Sequence, residues 1–270
     1  MPTFPAQHAD IAYDVTGDGP PVVQLHGLTS SRARDAQLGV DLCRHVRGHR
    51  MIRYDARGHG RSTGRPQPRD YTWSALAADL QSLLDHESPG RRVHGVGQSM
   101  GAGTLLHAAL ANPDRFTSLV LGIPPTAWAS RVRQQQTYRS RADMVEREGV
   151  GALLAMSGAD SRPPAADPNA PITAPDVTGA LLPALYRGAA LADLPPPEQI
   201  ADLDVPTLIL AWVDDPDHPV STSHRLQELI SGSELVLART PTDAKAWPGL
   251  TAEHIATHSS ALEARELHDV

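Results

Sequence analysis

Apolar residues along this chain of 270 residues recur with two different periods. Short runs rich in branched aliphatic side chains at residues 11–15, 21–25, 51–54, 93–96, 118–121, 207–211 and 234–238 predict strands. Between them, residues 72–86, 99–111, 221–229 and 248–267 repeat apolar side chains every three or four positions and predict helices. Strands alternating with helices imply a mostly parallel sheet covered on both faces. From position 121 to 207 the alternation lapses for about 85 residues, too long for an ordinary connection. This stretch opens with a helical stripe of Trp128, Val132, Tyr138, Ala142 and Val145, broken by Gln135. It continues through an apolar piece at 150–156, a Pro- and Ala-rich linker at 162–175 and a helical piece at 177–191. Arg131, Arg133, Arg139, Arg141 and Arg147 fall mostly off the stripe and are expected on its solvated face, with an anionic substrate as the alternative.

Composition narrows the class. The 24 Lys+Arg and 31 Asp+Glu give a formal charge of −7, which argues against a nucleic-acid surface. The single cysteine, Cys43, excludes an internal disulfide framework; its neighbours Leu42 and Val46 suggest inert packing in a helix. Residues 1–5 lack the basic start and apolar run of a targeting segment, and no apolar stretch is long enough to span a membrane, so a cytoplasmic location without a membrane partner is expected. The exposed helix faces carry no sustained heptad and leave the oligomeric state unknown.

One pentapeptide carries chemistry. Gly97-Gln98-Ser99-Met100-Gly101 follows the run at 93–96 and opens the helical stretch at 99–111, the strand, sharp turn and helix of a nucleophile elbow. Such a turn lifts the serine Oγ above the sheet, and glycines two positions to either side remove Cβ atoms that would clash. A second strand ends in Leu25-His26-Gly27-Leu28. The turn at Gly27 directs the Leu28 amide toward the space above Ser99, where it pairs with the Met100 amide as a two-donor oxyanion hole. His26 is expected to hold that loop by hydrogen bonds, not to transfer protons.

Together with residues 54–62, Tyr-Asp-Ala-Arg-Gly-His-Gly-Arg-Ser, and with Asp215-Pro216-Asp217-His218-Pro219, these motifs resemble the α/β-hydrolase superfamily in their order along nearly the whole chain, in the style of lid-bearing esterases and lactonases. The resemblance implies an α/β fold with a helical lid inserted after the sixth strand, a core at 1–122 and 203–270, and a lid at 123–202. It makes residues 55–62 a structural turn, in which Asp55 and Arg57 are expected to pair. The family's acid follows the penultimate core strand, where Asp215 matches better than its rivals Asp214 and Asp217.

The histidine departs from the family pattern. The resemblance puts it in the loop after the last strand, yet residues 239–248 contain none, and Lys245 lies near the vacant slot. His218, three residues past Asp215, is the first replacement. His254, one turn from His258 on the last helix, is the second, and absence of any histidine base is the third. The His254–His258 spacing also fits a metal pair, but no third ligand is evident, and neither a metal nor another cofactor is expected.

Three functions fit. A serine hydrolase would use Ser99, Asp215 and a histidine to cleave a small ester, lactone or thioester through an acyl-enzyme, with Trp128, Tyr138 and Tyr186 lining the pocket. A non-hydrolytic enzyme of the same fold would turn the elbow to C–C cleavage, elimination or isomerisation. A ligand-binding member would turn over little or nothing.

Overall fold

The computed structural model describes residues 1–156, 162–171 and 173–266. Among them, eight strands form one sheet: β1 (Thr3–Ala6), β2 (Ala9–Thr16), β3 (Pro21–Leu25), β4 (Arg50–Tyr54), β5 (Val93–Gln98), β6 (Phe116–Gly122), β7 (Thr207–Trp212) and β8 (Glu234–Ala238). Their order is β1-β2-β4-β3-β5-β6-β7-β8, antiparallel through β1, β2 and β4 and parallel from β4 onward. Period-two alternation sorts neighbouring side chains to opposite faces. Val23, Ile52, Leu119, Leu121 and Ile209 join the larger core, while Val22, Met51, Val120, Leu208 and Leu210 join a smaller one. The sequence pattern does not anticipate β1, a short edge strand containing Pro5, whose missing N–H is tolerated only at an edge.

The helices are α1 (Arg32–Gln37), α2 (Trp73–Glu87), α3 (Met100–Ala111), α4 (Arg131–Glu148), α5 (Val150–Met156), α6 (Leu182–Leu191), α7 (Pro197–Ile200), α8 (Val220–Leu229), α9 (Pro241–Lys245) and α10 (Trp247–Glu266). Leucines of α2 and α3 build the larger core, and α10 closes the smaller one with Ile255. Several expectations change here. The helix expected at 177–191 begins only at Leu182, because Val177 is drawn into a bridge with His59. Position 267 of the expected last helix lies outside the described residues. Cys43 sits half-buried in a 3-10 turn, not in an α-helix. Asp55 and Arg57 do not pair: Asp55 accepts from Arg32 Nε and NH2, each at 3.1 Å, while Arg57 reaches Asp79 at 2.6 Å.

Between β6 and β7 the chain forms α4 to α7. The buried face of α4 runs through Arg131, Gln134, Tyr138, Ala142 and Val145, so the expected stripe is displaced by one residue at its start. Val132 is 60% exposed and Arg131 is 0% exposed. The guanidinium is accommodated because Ala189 O, Ala192 O and Thr126 Oγ1 accept its hydrogens at 2.7, 3.0 and 3.1 Å while it lies 4.4 Å from the Trp73 ring centre. Arg133, Arg139 and Arg147 are exposed as expected. Tyr138 stacks on Tyr186 of α6 at 6.0 Å, and Leu28 packs against this cluster.

Histidines gather where β5 meets α10. His94 of β5 contacts Ser118 Oγ at 2.8 Å and Ser259 Oγ at 2.9 Å, and His49 reaches the same Ser259 oxygen at 2.9 Å. Burial pushes His94 down to about 3 and His254 to about 4. Both are therefore neutral in the folded chain at pH values where the unfolded chain protonates them, and the unfolded state binds more protons below about pH 6.5. Stability should fall as pH drops from about 6.5 toward 4, and His94→Gln should flatten that slope; urea titrations across the window check it. An unchanged slope in the variant would contradict the assignment.

Candidate active site

Ser99 stands at the junction of β5 and α3 with φ 51° and ψ −110°, outside the conformations an ordinary residue adopts. Its N–H donates to Gly122 O at 2.9 Å, and its carbonyl starts α3 by accepting from Gly103. A helix N-cap serine ordinarily spends its oxygen on a helix amide, but Ser99 makes no such bond, so Oγ stays available. The flanking glycines are required by close approach. A Cβ at Gly97 would enter the Gly101 carbonyl, and one at Gly101 would stand 2.7 Å from Leu25 O.

The loop after β3 lies beside the elbow. His26 Nε2 accepts from the Ala56 amide at 2.9 Å, so its proton is on Nδ1, which donates to Gly27 O at 2.8 Å. Both ring nitrogens are thus occupied in holding the turn. Ser31 Oγ donates to Asp176 at 2.5 Å, and Asp176 N returns a bond to Thr29 O at 2.9 Å, so the inserted segment clasps this loop. Among the described residues the amides of Leu28 and Met100 donate to nothing. Two free N–H groups beside the Ser99 hydroxyl are donors available to an anionic oxygen.

The loop after β7 brings the remaining groups. Asp215 Oδ1 accepts from the amides of Asp217 at 2.9 Å and His218 at 3.2 Å, folding Asp-Pro-Asp-His into a tight turn. Its Oδ2 accepts from His218 Nδ1 at 2.8 Å and from Trp212 Nε1 at 2.7 Å. Burial opposes ionisation of Asp215, but the bonds from His218, Trp212 and the Asp217 amide outweigh it and hold the carboxyl below its usual range. An ionised carboxylate only accepts, so the His218 proton is on Nδ1 and Nε2 is a free base. That nitrogen lies 2.8 Å from Ser99 Oγ, whose hydroxyl donates to it.

A family model described as the alpha/beta hydrolase fold matches residues 20–143. A crystal structure of a hydrolase from Pseudomonas aeruginosa superposes with a TM-score of 0.74 at 25% identity, covering 93% of this chain and 94% of that one. The chain has the α/β-hydrolase fold. An sn-1-specific diacylglycerol lipase of Danio rerio is 32% identical over 119 residues, 43% of this chain and 36% of the lipase. The chain spans 36–44% of the length of the diacylglycerol lipases that it matches. The 3-oxoadipate enol-lactonase 2 of Acinetobacter baylyi is 27% identical over 191 residues, 68% of each chain.

The family's histidine position after the last strand is taken here by α9, capped by reciprocal bonds between Thr240 and Asp243. Lys245 ends that helix, exposed. His254 is not brought to Ser99: it lies beside the backbone of Leu119 and Pro206, toward the starting ends of the parallel strands, 4.6 Å from the His258 ring. Of the rival acids, Asp214 occupies a turn with φ 58°, and Asp217 lies 3.8 Å from Arg141. Trp128 falls in a 3-10 turn with φ 52°, its Nε1 bound to Pro195 O at 2.9 Å and its amide to Asp193; those bonds anchor the insert. Among the described residues no group of three or more His, Cys, Asp or Glu is arranged to hold a metal, and no helix is long and apolar enough to cross a membrane.

Sequence reasoning misses Trp212. Its one signal is position, an indole at the last residue of β7, three before Asp215. Because its N–H lowers the Asp215 pKa, Trp212→Phe should raise it and loosen His218. Fluorophosphonate labelling of Ser99 should slow by about tenfold or more, with its acid limb moved to higher pH. An unchanged rate and pH profile would remove Trp212 from the site.

Proposed function

We propose that this chain is a serine hydrolase of a small carboxylic ester, lactone or thioester. The observation that carries the reading is the 2.8 Å contact between Ser99 Oγ and a histidine whose other nitrogen is bound to a partly buried carboxylate. His218 removes the Ser99 proton as Oγ attacks the substrate carbonyl, and the amides of Leu28 and Met100 hold the oxyanion. Asp215 keeps the imidazole in the required tautomer and stabilises its cation. Collapse of the tetrahedral species expels the leaving group, which takes the proton from His218 and leaves an acyl-Ser99. Water, deprotonated by the same histidine, then releases the acid and restores Ser99.

The relatives named as lipase and enol-lactonase support ester-type chemistry at this site. The segment from 123 to 202 acts as a lid in this reading, since its clasp on Thr29 and its Tyr138–Tyr186 cluster against Leu28 put it beside the oxyanion amides. The substrate is a small molecule, and no step needs a metal or cofactor.

Hydrolysis of p-nitrophenyl butyrate tests the assignment. Ser99→Ala and His218→Ala should each lower kcat/KM by about a thousandfold or more, while His254→Ala should stay within about twofold of the parent. A folded His218→Ala protein with full activity, or a parent with no esterase activity and no Ser99 labelling, would overturn the proposal in favour of a non-hydrolytic or ligand-binding member.

A further inference from the structure

A cavity of about 470 Å³ lies behind the elbow, between the sheet and the elements that cover its smaller core. Its wall includes Val96, Val120 and Leu210, which belong to that core, and Ala165 of the inserted segment. The covering layer is thin here because α1 spans only six residues and the chain after it crosses the sheet as irregular turns. Ser99, Met100 and His218 do not line this space, but Gly97 and Gln98 do, and so does Gly122, whose carbonyl holds the Ser99 amide. It adjoins the candidate site through those residues.

The lining is mostly aliphatic and aromatic, with a few polar groups that have nothing to bind. Trp247 Nε1 is shielded from solvent and has no hydrogen-bond partner among the described residues. The Gln98 side chain makes no hydrogen bond, and Lys245 has no ion pair, again among the described residues. The one carboxylate in the lining set besides these, Asp167, accepts the Asn169 amide. A volume of about 470 Å³ is within the range of small-molecule pockets.

We propose that this cavity binds the hydrocarbon chain of a medium-chain aliphatic acyl compound, with the carbonyl or carboxylate oxygen at its head meeting the side-chain amide of Gln98. Branched aliphatic walls suit an alkyl chain, and the free donors suit an oxygen acceptor. Lys245, on the last turn of α9, adds attraction for a carboxylate head. The site also touches the catalytic reading at one point: Trp212 lines the cavity, lies 5.5 Å from Trp247 ring to ring, and donates to Asp215. Occupancy therefore bears on the residue that positions the carboxylate, while binding itself does not depend on turnover by Ser99.

The test uses full-length Ser99→Ala protein, so that failure of the hydrolase reading leaves the binding result intact. Hexanoate, octanoate and decanoate are titrated while tryptophan emission is followed, since Trp212 and Trp247 are two of the four tryptophans. Saturable changes are expected, with affinity rising about fourfold per added methylene while the chain still fits. Ala244→Leu, which places a larger side chain on the cavity wall from α9, should weaken octanoate binding by about tenfold or more. Gln98→Met should weaken it several-fold by removing the amide while keeping the side chain's length, and provides the check if Ala244→Leu does not fold. No saturable binding of any of the three acids would overturn the proposal. So would octanoate affinity that neither substitution changes, or tighter binding of phenylacetate than of octanoate.

Discussion

The two oxygens of Asp215 take four hydrogen bonds, two from backbone amides of the turn that it begins and two from the side chains of His218 and Trp212. The backbone pair bends the chain so that His218 returns over the carboxylate, and the side-chain pair sets the imidazole's tautomer and ties the turn to the end of β7. Carboxylate and imidazole therefore come from one tetrapeptide, and in the proposed reading the loop after β8 is released from supplying a histidine. It folds instead as α9, whose residues form part of a cavity wall. A carboxylate drawn partly out of water is costly unless its lone pairs are filled, and here that requirement and the orientation of the imidazole are met by the same bonds.

The rest of the fold brings Ser99 to that imidazole. Parallel strands β3, β5 and β6 end together, and the glycines of the elbow let α3 start against β3 at a separation no side chain would allow. The inserted helices are fixed to this end of the sheet by Arg131, whose guanidinium fills carbonyl acceptors of the insert and lies over Trp73 of α2. Asp176 then holds the Thr29 carbonyl and, through it, the loop that presents the Leu28 amide. Substrate-side and sheet-side positions are thereby coupled through a few polar contacts in otherwise apolar packing.

Much of this was legible in the residues. Period-two runs such as 118–121 marked buried strands because each face of the sheet needs its own apolar set, and the elbow's glycines follow from sterics. The four-residue span of Asp215 to His218 was readable because an aspartate naturally folds a turn around its own carboxylate. Pairings between distant segments were less accessible. Asp55 lies two residues from Arg57, yet it bonds Arg32, since a partner's identity depends on tertiary approach rather than on spacing. Arg131 and Val132 exchanged their expected environments for the same reason: carbonyl acceptors from α6 made a cation cheaper to bury than the hydrophobic pattern alone implies. Trp212 and the cavity behind the elbow depend on which side chains meet across layers, and a linear pattern carries almost no trace of that.

Since the site rests on the Asp215–His218 pair, the most direct measurement is the protonation of the His218 ring, read by long-range proton–nitrogen correlation in isotope-labelled protein at neutral pH. The expected spectrum has the proton on Nδ1, slowed in exchange by its bond to Asp215, an unprotonated Nε2, and loss of that protected signal in Asp215→Ala. An Nε2-protonated ring, or a freely exchanging imidazole that Asp215→Ala leaves unchanged, would contradict the account.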